Sequence, residues 1–257
     1  LQREINILSK IDHPSFLKFI GYSPIDFNQQ PMPVIITEMP PNRSLEDLFH
    51  IKRSNEEIEG WNSTKKLIII YGIASGMSYL HSHNIIHRNL HSGNILLDEF
   101  FYPKIADFGF CTKHNNTLSF NSTCGFKGNP SYLAPEILSS EEYSKAGDVY
   151  SFSLIMYEIL TNSIPFENIK SIVNLISIVV NENKRPEFKQ PINKCYKKLI
   201  KQCWSSNANE RPTFNDIVDE IKNNKEFITN DVIKEDFDKY IKIIDRYLTS
   251  FDESVGF

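Results

Sequence analysis

An α+β fold is predicted, with a short strand-bearing start followed by a mostly helical body. Three observations predict it. Two runs rich in β-branched and aromatic residues, 16–22 and 33–38, lie near the start. Beyond residue 64, apolar residues recur at helical spacing almost to the end. Residues 147–160 are apolar on nearly all sides (Val149, Tyr150, Phe152, Leu154, Ile155, Met156, Ile159, Leu160), the pattern of a helix buried through a domain centre.

The chain of 257 residues fits one large domain or two closely packed lobes. With 40% hydrophobic and 23% charged residues it can bury a core and is not of disordered composition. A net charge of −4 argues against nucleic-acid and membrane-surface binding. Cys111, Cys124, Cys195 and Cys203 show no C-x-x-C spacing and make no disulfide framework, so a reducing cytoplasm is the expected compartment. There is no signal-peptide pattern, and the apolar runs at 68–70 and 175–180 are too short to span a membrane.

In chain order, residues 1–10 read as a helix with Leu1, Ile5 and Leu8 on one face. The chain opens in this pattern at Leu1, without Met or a cap, which reads as a fragment of something longer. The strands 16–22 and 33–38 flank a Pro-containing turn or loop, 24–33. Residues 65–82 carry a helical stripe, Leu67, Ile70, Ala74, Met77 and Leu80. Residues 85–106 read as short strands and loops. Residues 107–136, rich in Ser, Thr, Asn and Gly, read as a long surface loop, a kind that is usually functional or mobile. Helical patterns follow at 169–182, 194–203 and 213–223, and 225–257 reads as one more amphipathic helix with a frayed end. There is no internal repeat.

The chemistry-bearing residues come in ordered motifs. His87-Arg88-Asn89-Leu90-His91-Ser92-Gly93-Asn94 has the spacing H-R-D-L-x-x-x-N, with asparagine at the aspartate position. Before it stand Arg3-Glu4-Ile5, His13-Pro14 and Thr37-Glu38-Met39-Pro40. After it come Asp107-Phe108-Gly109, Ala134-Pro135-Glu136, Gly147-Asp148-Val149-Tyr150 and Asn209-Glu210-Arg211-Pro212. Together they resemble the eukaryotic protein kinases, with details similar to the tyrosine-kinase-like serine/threonine branch, over Glu4 to Phe214. The resemblance implies a protein kinase-like two-lobe fold with a truncated N-lobe. Residues 1–38 would be an N-lobe remnant from helix C to the hinge strand, 39–224 the C-lobe, and 225–257 a C-terminal helical extension.

The resemblance also implies roles. Glu4 is similar to the glutamate that pairs with a phosphate-binding lysine. Thr37, Glu38, Met39 and Pro40 resemble the gatekeeper and hinge that meet adenine, although proline at 40 has no N–H to offer. Leu96 joins them as a nucleotide contact. Asn94 and Asp107 are similar to the Mg²⁺ holders, and hard oxygen ligands suit that ion. ATP and Mg²⁺ are thus the implied cofactors and a protein substrate or signalling partner the implied partner. Leu8, Phe19, His87 and Phe108 correspond to a stack of side chains through both lobes. Glu136 and Arg211 correspond to a buried ion pair, and Asp148 to the aspartate that ties the catalytic loop to the buried helix. Cys203-Trp204 is a core element. Arg88 resembles the arginine that pairs with a phosphorylated loop residue, so Ser122 and Thr123 are candidate phosphosites; a loop rich in Ser and Thr for solubility is the other reading.

The departures from the pattern share one chemistry. Asn89 stands where the family's aspartate accepts the substrate hydroxyl proton, and an amide is not basic. His91 stands where serine/threonine kinases carry a lysine; it would be cationic only below a pKa of about 6.5. Asn129 stands where a threonine usually contacts the catalytic aspartate. The glycine-rich loop and lysine that precede helix C in the family are not in this chain. Three readings follow: a catalytically impaired or inactive kinase-like domain acting as scaffold or allosteric partner; an active serine/threonine kinase whose N-lobe is missing from this sequence; and a module that binds Mg·ATP structurally. Whether the chain is an enzyme stays open at the level of sequence.

Overall fold

The computed structural model describes residues 2–113 and 129–250. Helix α1 (Gln2–Leu8) turns Leu8 into the core. Strands β1 (Phe19–Ser23) and β2 (Val34–Thr37) pair antiparallel, Phe19 opposite Thr37 and Ser23 opposite Val34. Between them the Asp26 carboxylate accepts the backbone N–H groups of Asn28 and Gln30, each at 2.8 Å, which folds the connection back. The first strand begins later than expected. Residues 15–17 are drawn elsewhere: Leu17 donates to Ile105 O at 3.0 Å and Ile105 to Ser15 O at 2.7 Å.

Helix α2 (Leu45–Arg53) was not foreseen. The Ser44 hydroxyl accepts from Asp47 N–H while the Asp47 carboxylate accepts from Ser44 N–H, a capping box that starts the helix. Helix α3 (Ser63–Ser82) is capped by Asn62 and buried on nearly every face. Two short pairings follow. Strand β3 (Ile85–Ile86) pairs with β6 (Thr112–Lys113), and β4 (Ile95–Leu97) with β5 (Pro103–Ile105).

The stretch read as one loop, 107–136, is therefore structured at both ends. Thr112 and Lys113 join a ladder, a 3-10 turn spans Pro130–Tyr132, and helix α4 (Pro135–Ser140) begins with proline at its first position. The candidate phosphosites Ser122 and Thr123 lie outside the described residues.

Helix α5 (Lys145–Thr161) runs through the centre, with Tyr150, Phe152, Leu154 and Ile155 fully buried. The helix expected over 169–182 starts later, as α6 (Ile172–Ile176), and continues into a π-turn, Ser177–Asn181. Helices α7 (Lys194–Cys203) and α8 (Phe214–Asn223) match their patterns, the second with a Thr213–Asp216 capping box. The final segment holds a 3-10 turn at Lys225–Phe227 and helix α9 (Lys234–Ser250).

One hydrophobic cluster joins Leu8 and Phe16 to α3, α5, α8 and α9. Helix α9 packs Phe237 and Tyr240 against Tyr71, with ring centroids 5.4 and 6.4 Å apart. Its Tyr240 hydroxyl lies 3.4 Å from Ser15 Oγ. Gly72 makes this approach possible, because a β-carbon there would collide with the Tyr240 hydroxyl and with Pro103. Few strands and many helices make this an α+β fold.

Candidate active site

The site begins with a buried carboxylate. Asp148 opens the first turn of α5 at 2% exposure. Its Oδ1 accepts the Arg88 N–H at 2.9 Å, and its Oδ2 accepts the His87 N–H at 2.9 Å and lies 2.8 Å from His81 Nε2. Burial pushes this carboxyl upward, but the hydrogen bond and charge of His81, with His87, outweigh it and hold Asp148 below the usual range. The 87–88 backbone is thus hung on the central helix.

His87 extends the support. Its Nε2 lies 3.2 Å from Ala106 O, and its ring meets Phe108 with centroids 5.5 Å apart. Complete burial keeps it below the usual histidine pKa, the state of a neutral packed ring. The Phe16 ring also packs edge-on against Phe108, at 5.5 Å, and Phe19 is half-buried at the head of β1, packed against the core. Phe16 reaches this place because residues 15–17 follow Ile105 rather than the hairpin. Leu8 lines the same cavity as Phe108.

Asn89, Asn94 and Asp107 are brought together. Asn89 Nδ2 donates to Asp107 Oδ2 at 2.6 Å. Asn94 Nδ2 donates to the backbone oxygen of Asn89 at 2.9 Å and lies 3.4 Å from Asp107 Oδ2. Gly109 N–H reaches Asp107 Oδ1 at 3.3 Å. Arg88 and Asp107 both adopt left-handed backbone, φ 69° and 62°. Such conformations cost about 1–3 kcal/mol each and persist where surrounding contacts over-determine them. The Arg88 guanidinium lies over the Tyr143 ring, 3.9 Å from its centroid.

His91 is no cation. Its Nδ1 accepts the Gly93 N–H at 3.2 Å, capping the Ser92–Asn94 turn, and its ring lies 5.8 Å from that of Tyr132. Burial lowers its pKa despite the Glu46 carboxylate nearby. Asn129 likewise caps locally, accepting Ser131 N–H at 3.1 Å.

Glu4 faces the site across a cavity of about 220 Å³ that Thr37, Asp107 and Phe108 also line. A β-carbon on Gly109 would lie 3.3 Å from Asp107 Oδ1 and 3.7 Å from Glu4 Oε2, so the two carboxylates converge there. Burial first, and then the Asp107 charge, raise the Glu4 pKa. Glu38 is tied to the Lys18 N–H at 3.0 Å and to Lys104 Nζ at 3.6 Å; Met39 projects its side chain into solvent at 94% exposure. Pro40 follows them, and Leu96 pairs with Lys104 on β4 and β5.

At some distance, Arg211 clamps Glu136 through Nη1–Oε1 at 2.7 Å and Nη2–Oε2 at 2.8 Å, and also donates to Ala146 O and Ser205 O. One group beneath the 87–94 loop went unremarked in the sequence. Glu158, at 2% exposure, accepts the Tyr132 hydroxyl, which lies 3.0 Å from Ser92 Oγ. The one acid between Val149 and Thr161, in a mostly apolar run, was the signal that marked it.

The donor chemistry fits Mg²⁺. Asp107 supplies a carboxylate, and Asn94, with its Nδ2 committed to Asn89 O, has its carbonyl Oδ1 left for a hard cation. Among the described residues, no group of three or more His, Cys, Asp or Glu side chains converges on a metal position, and no helix is long and apolar enough to cross a membrane.

A family model described as protein tyrosine and serine/threonine kinase matches residues 1–221. A probable serine/threonine-protein kinase of Dictyostelium discoideum is 37% identical over 215 residues, 83% of this chain and 15% of that protein. The dual specificity protein kinase pyk3 of the same organism is 36% identical over 244 residues, 93% of this chain and 17% of that protein. Serine/threonine-protein kinase CTR1 of Arabidopsis thaliana is 32% identical over 219 residues, 84% of this chain and 26% of that protein. The chain spans less than a fifth of the length of the first two relatives.

Proposed function

Given that the chain belongs to the protein tyrosine and serine/threonine kinase family, we propose that it is a kinase-like signalling domain of the tyrosine-kinase-like branch, impaired in phosphate transfer and acting as a cytoplasmic scaffold or allosteric partner. The observation that carries this reading is Asn89. At the proton-accepting position stands an amide whose N–H₂ is given to Asp107 at 2.6 Å. An amide takes no proton from a substrate hydroxyl, and a positioned general base contributes typically about 10²–10⁴-fold.

The neighbouring groups support the same reading. His91 is half-buried with its pKa held below the usual histidine value, so it brings no positive charge to a phosphate at neutral pH. Asn129 spends its side-chain oxygen on its own turn. The binding side differs: Asp107 and Asn94 would hold Mg²⁺, which, when bound, neutralises charge on the phosphate oxygens of ATP. Thr37 and Leu96, with the backbone around Glu38–Pro40, would bound the nucleotide, and Arg88 would meet a phosphorylated loop residue.

The test is phosphate transfer by the protein that contains this domain, supplied with Mg·ATP and a peptide substrate. Asn89→Asp is expected to raise the rate at least about tenfold. A wild type already as fast as the variant sinks the proposal.

A further inference from the structure

We propose that the Asn89 amide stands in for a divalent cation on Asp107, so that the Asp107–Gly109 segment keeps its place in the site without Mg²⁺. The inference does not rest on whether phosphate is transferred; it concerns what holds the metal-side carboxylate when nothing is bound.

The geometry is specific. Both Asp107 oxygens face neutral N–H donors of this chain. Oδ2 faces Asn89 Nδ2 at 2.6 Å and Asn94 Nδ2 at 3.4 Å, and Oδ1 faces Gly109 N–H at 3.3 Å. Asn89 is 7% exposed and Asp107 half-buried, and the carboxylate acceptor makes this hydrogen bond charge-assisted. Asp107 also carries φ 62°, a backbone that needs such anchoring. A carboxylate at position 89 in the same rotamer would face Asp107 oxygen to oxygen. Two carboxylates sharing a site cannot both ionise comfortably unless a cation or proton comes between them. Glu4, already raised in pKa by burial and by Asp107, adds a third acid to the neighbourhood. The amide turns that repulsion into a bond and removes the demand for a metal.

The experiment is unfolding of the chain in EDTA and in excess Mg²⁺, without nucleotide, for wild type and Asn89→Asp. The wild-type midpoint is expected to be the same in both. The variant is expected to melt lower than wild type in EDTA, by roughly 3 °C or more, and to regain most of the loss in Mg²⁺. A variant as stable as wild type in EDTA overturns the inference, and so does a wild type that gains from Mg²⁺ as much as the variant. If the variant does not fold, wild-type backbone hydrogen exchange at Phe108 and Gly109 decides. Equal protection with and without Mg²⁺ supports the inference, and a several-fold slowing by Mg²⁺ overturns it.

Discussion

Glu158 lies under the 87–94 loop with its carboxyl almost wholly out of water. Burial, acting before its hydrogen bonds, pushes its pKa up to about 7 from 4.5. A folded-state pKa above the unfolded one means that the native protein holds the proton more tightly. The associated stability is fully present below about pH 4.5 and is lost as pH rises through about pH 7, a change on the order of 3 kcal/mol. Glu158→Gln keeps an acceptor for the Tyr132 hydroxyl and removes the titration. The variant should match wild type near the acid end of this window and be more stable above it, read as urea midpoints across the pH series; parallel wild-type and variant profiles would refute the assignment. At this scale the sequence already held the replacement of aspartate by Asn89. What it did not hold was the partner. The Asn89–Asp107 bond joins residues 18 apart in sequence, and only the fold brings them to 2.6 Å. Phe16 and Phe19 make the same point. Both read as strand residues, and Phe16 reaches Phe108 only through the pairing of residues 15–17 with Ile105.

Helix α2 was legible and still overlooked. Ser44 and Asp47 have capping-box spacing, and Leu45, Leu48 and Phe49 form the buried stripe that follows. Ser44 also makes an isolated bridge with Leu96, so the start of this helix is fastened to β4 beside the proposed nucleotide pocket. Ser44→Ala is expected to cost about 1 kcal/mol, measured by chemical denaturation, with the loss concentrated in backbone hydrogen exchange of α2. Unchanged exchange in the first turn of α2 would mean that the cap is dispensable. The π-turn at Ser177–Asn181 is different in kind: Ile172, Leu175, Ile176, Val179 and Val180 keep the spacing of a continuous α-helix, so nothing in the apolar pattern distinguishes it.

Over the molecule as a whole, the order of strands then helices was readable from periodicity, because each helix presents or buries its stripe as amphipathic patterning requires. Harder to read was how intimately the last helix joins the rest. Tyr240 is 1% exposed, stacks near Tyr71 and Tyr102, and reaches Ser15, 225 residues away in sequence. Tyr240→Ala is expected to destabilise the entire chain by roughly 3–5 kcal/mol, the scale of a large aromatic cavity. Tyr240→Phe, losing only the hydroxyl contact, should cost about 1 kcal/mol. Urea unfolding of both variants checks this, and a separate early transition for α9 alone would contradict it. The suspension of the 87–88 backbone from Asp148 has an evolutionary consequence. Main-chain N–H groups, not the side chain of residue 89, hold that part of the loop, so the codon at 89 can drift while the loop keeps this anchor. Asparagine and aspartate codons differ by a single base. An acid at this position is therefore one base change away, and by the cation argument proposed above it would bring a dependence on divalent metal.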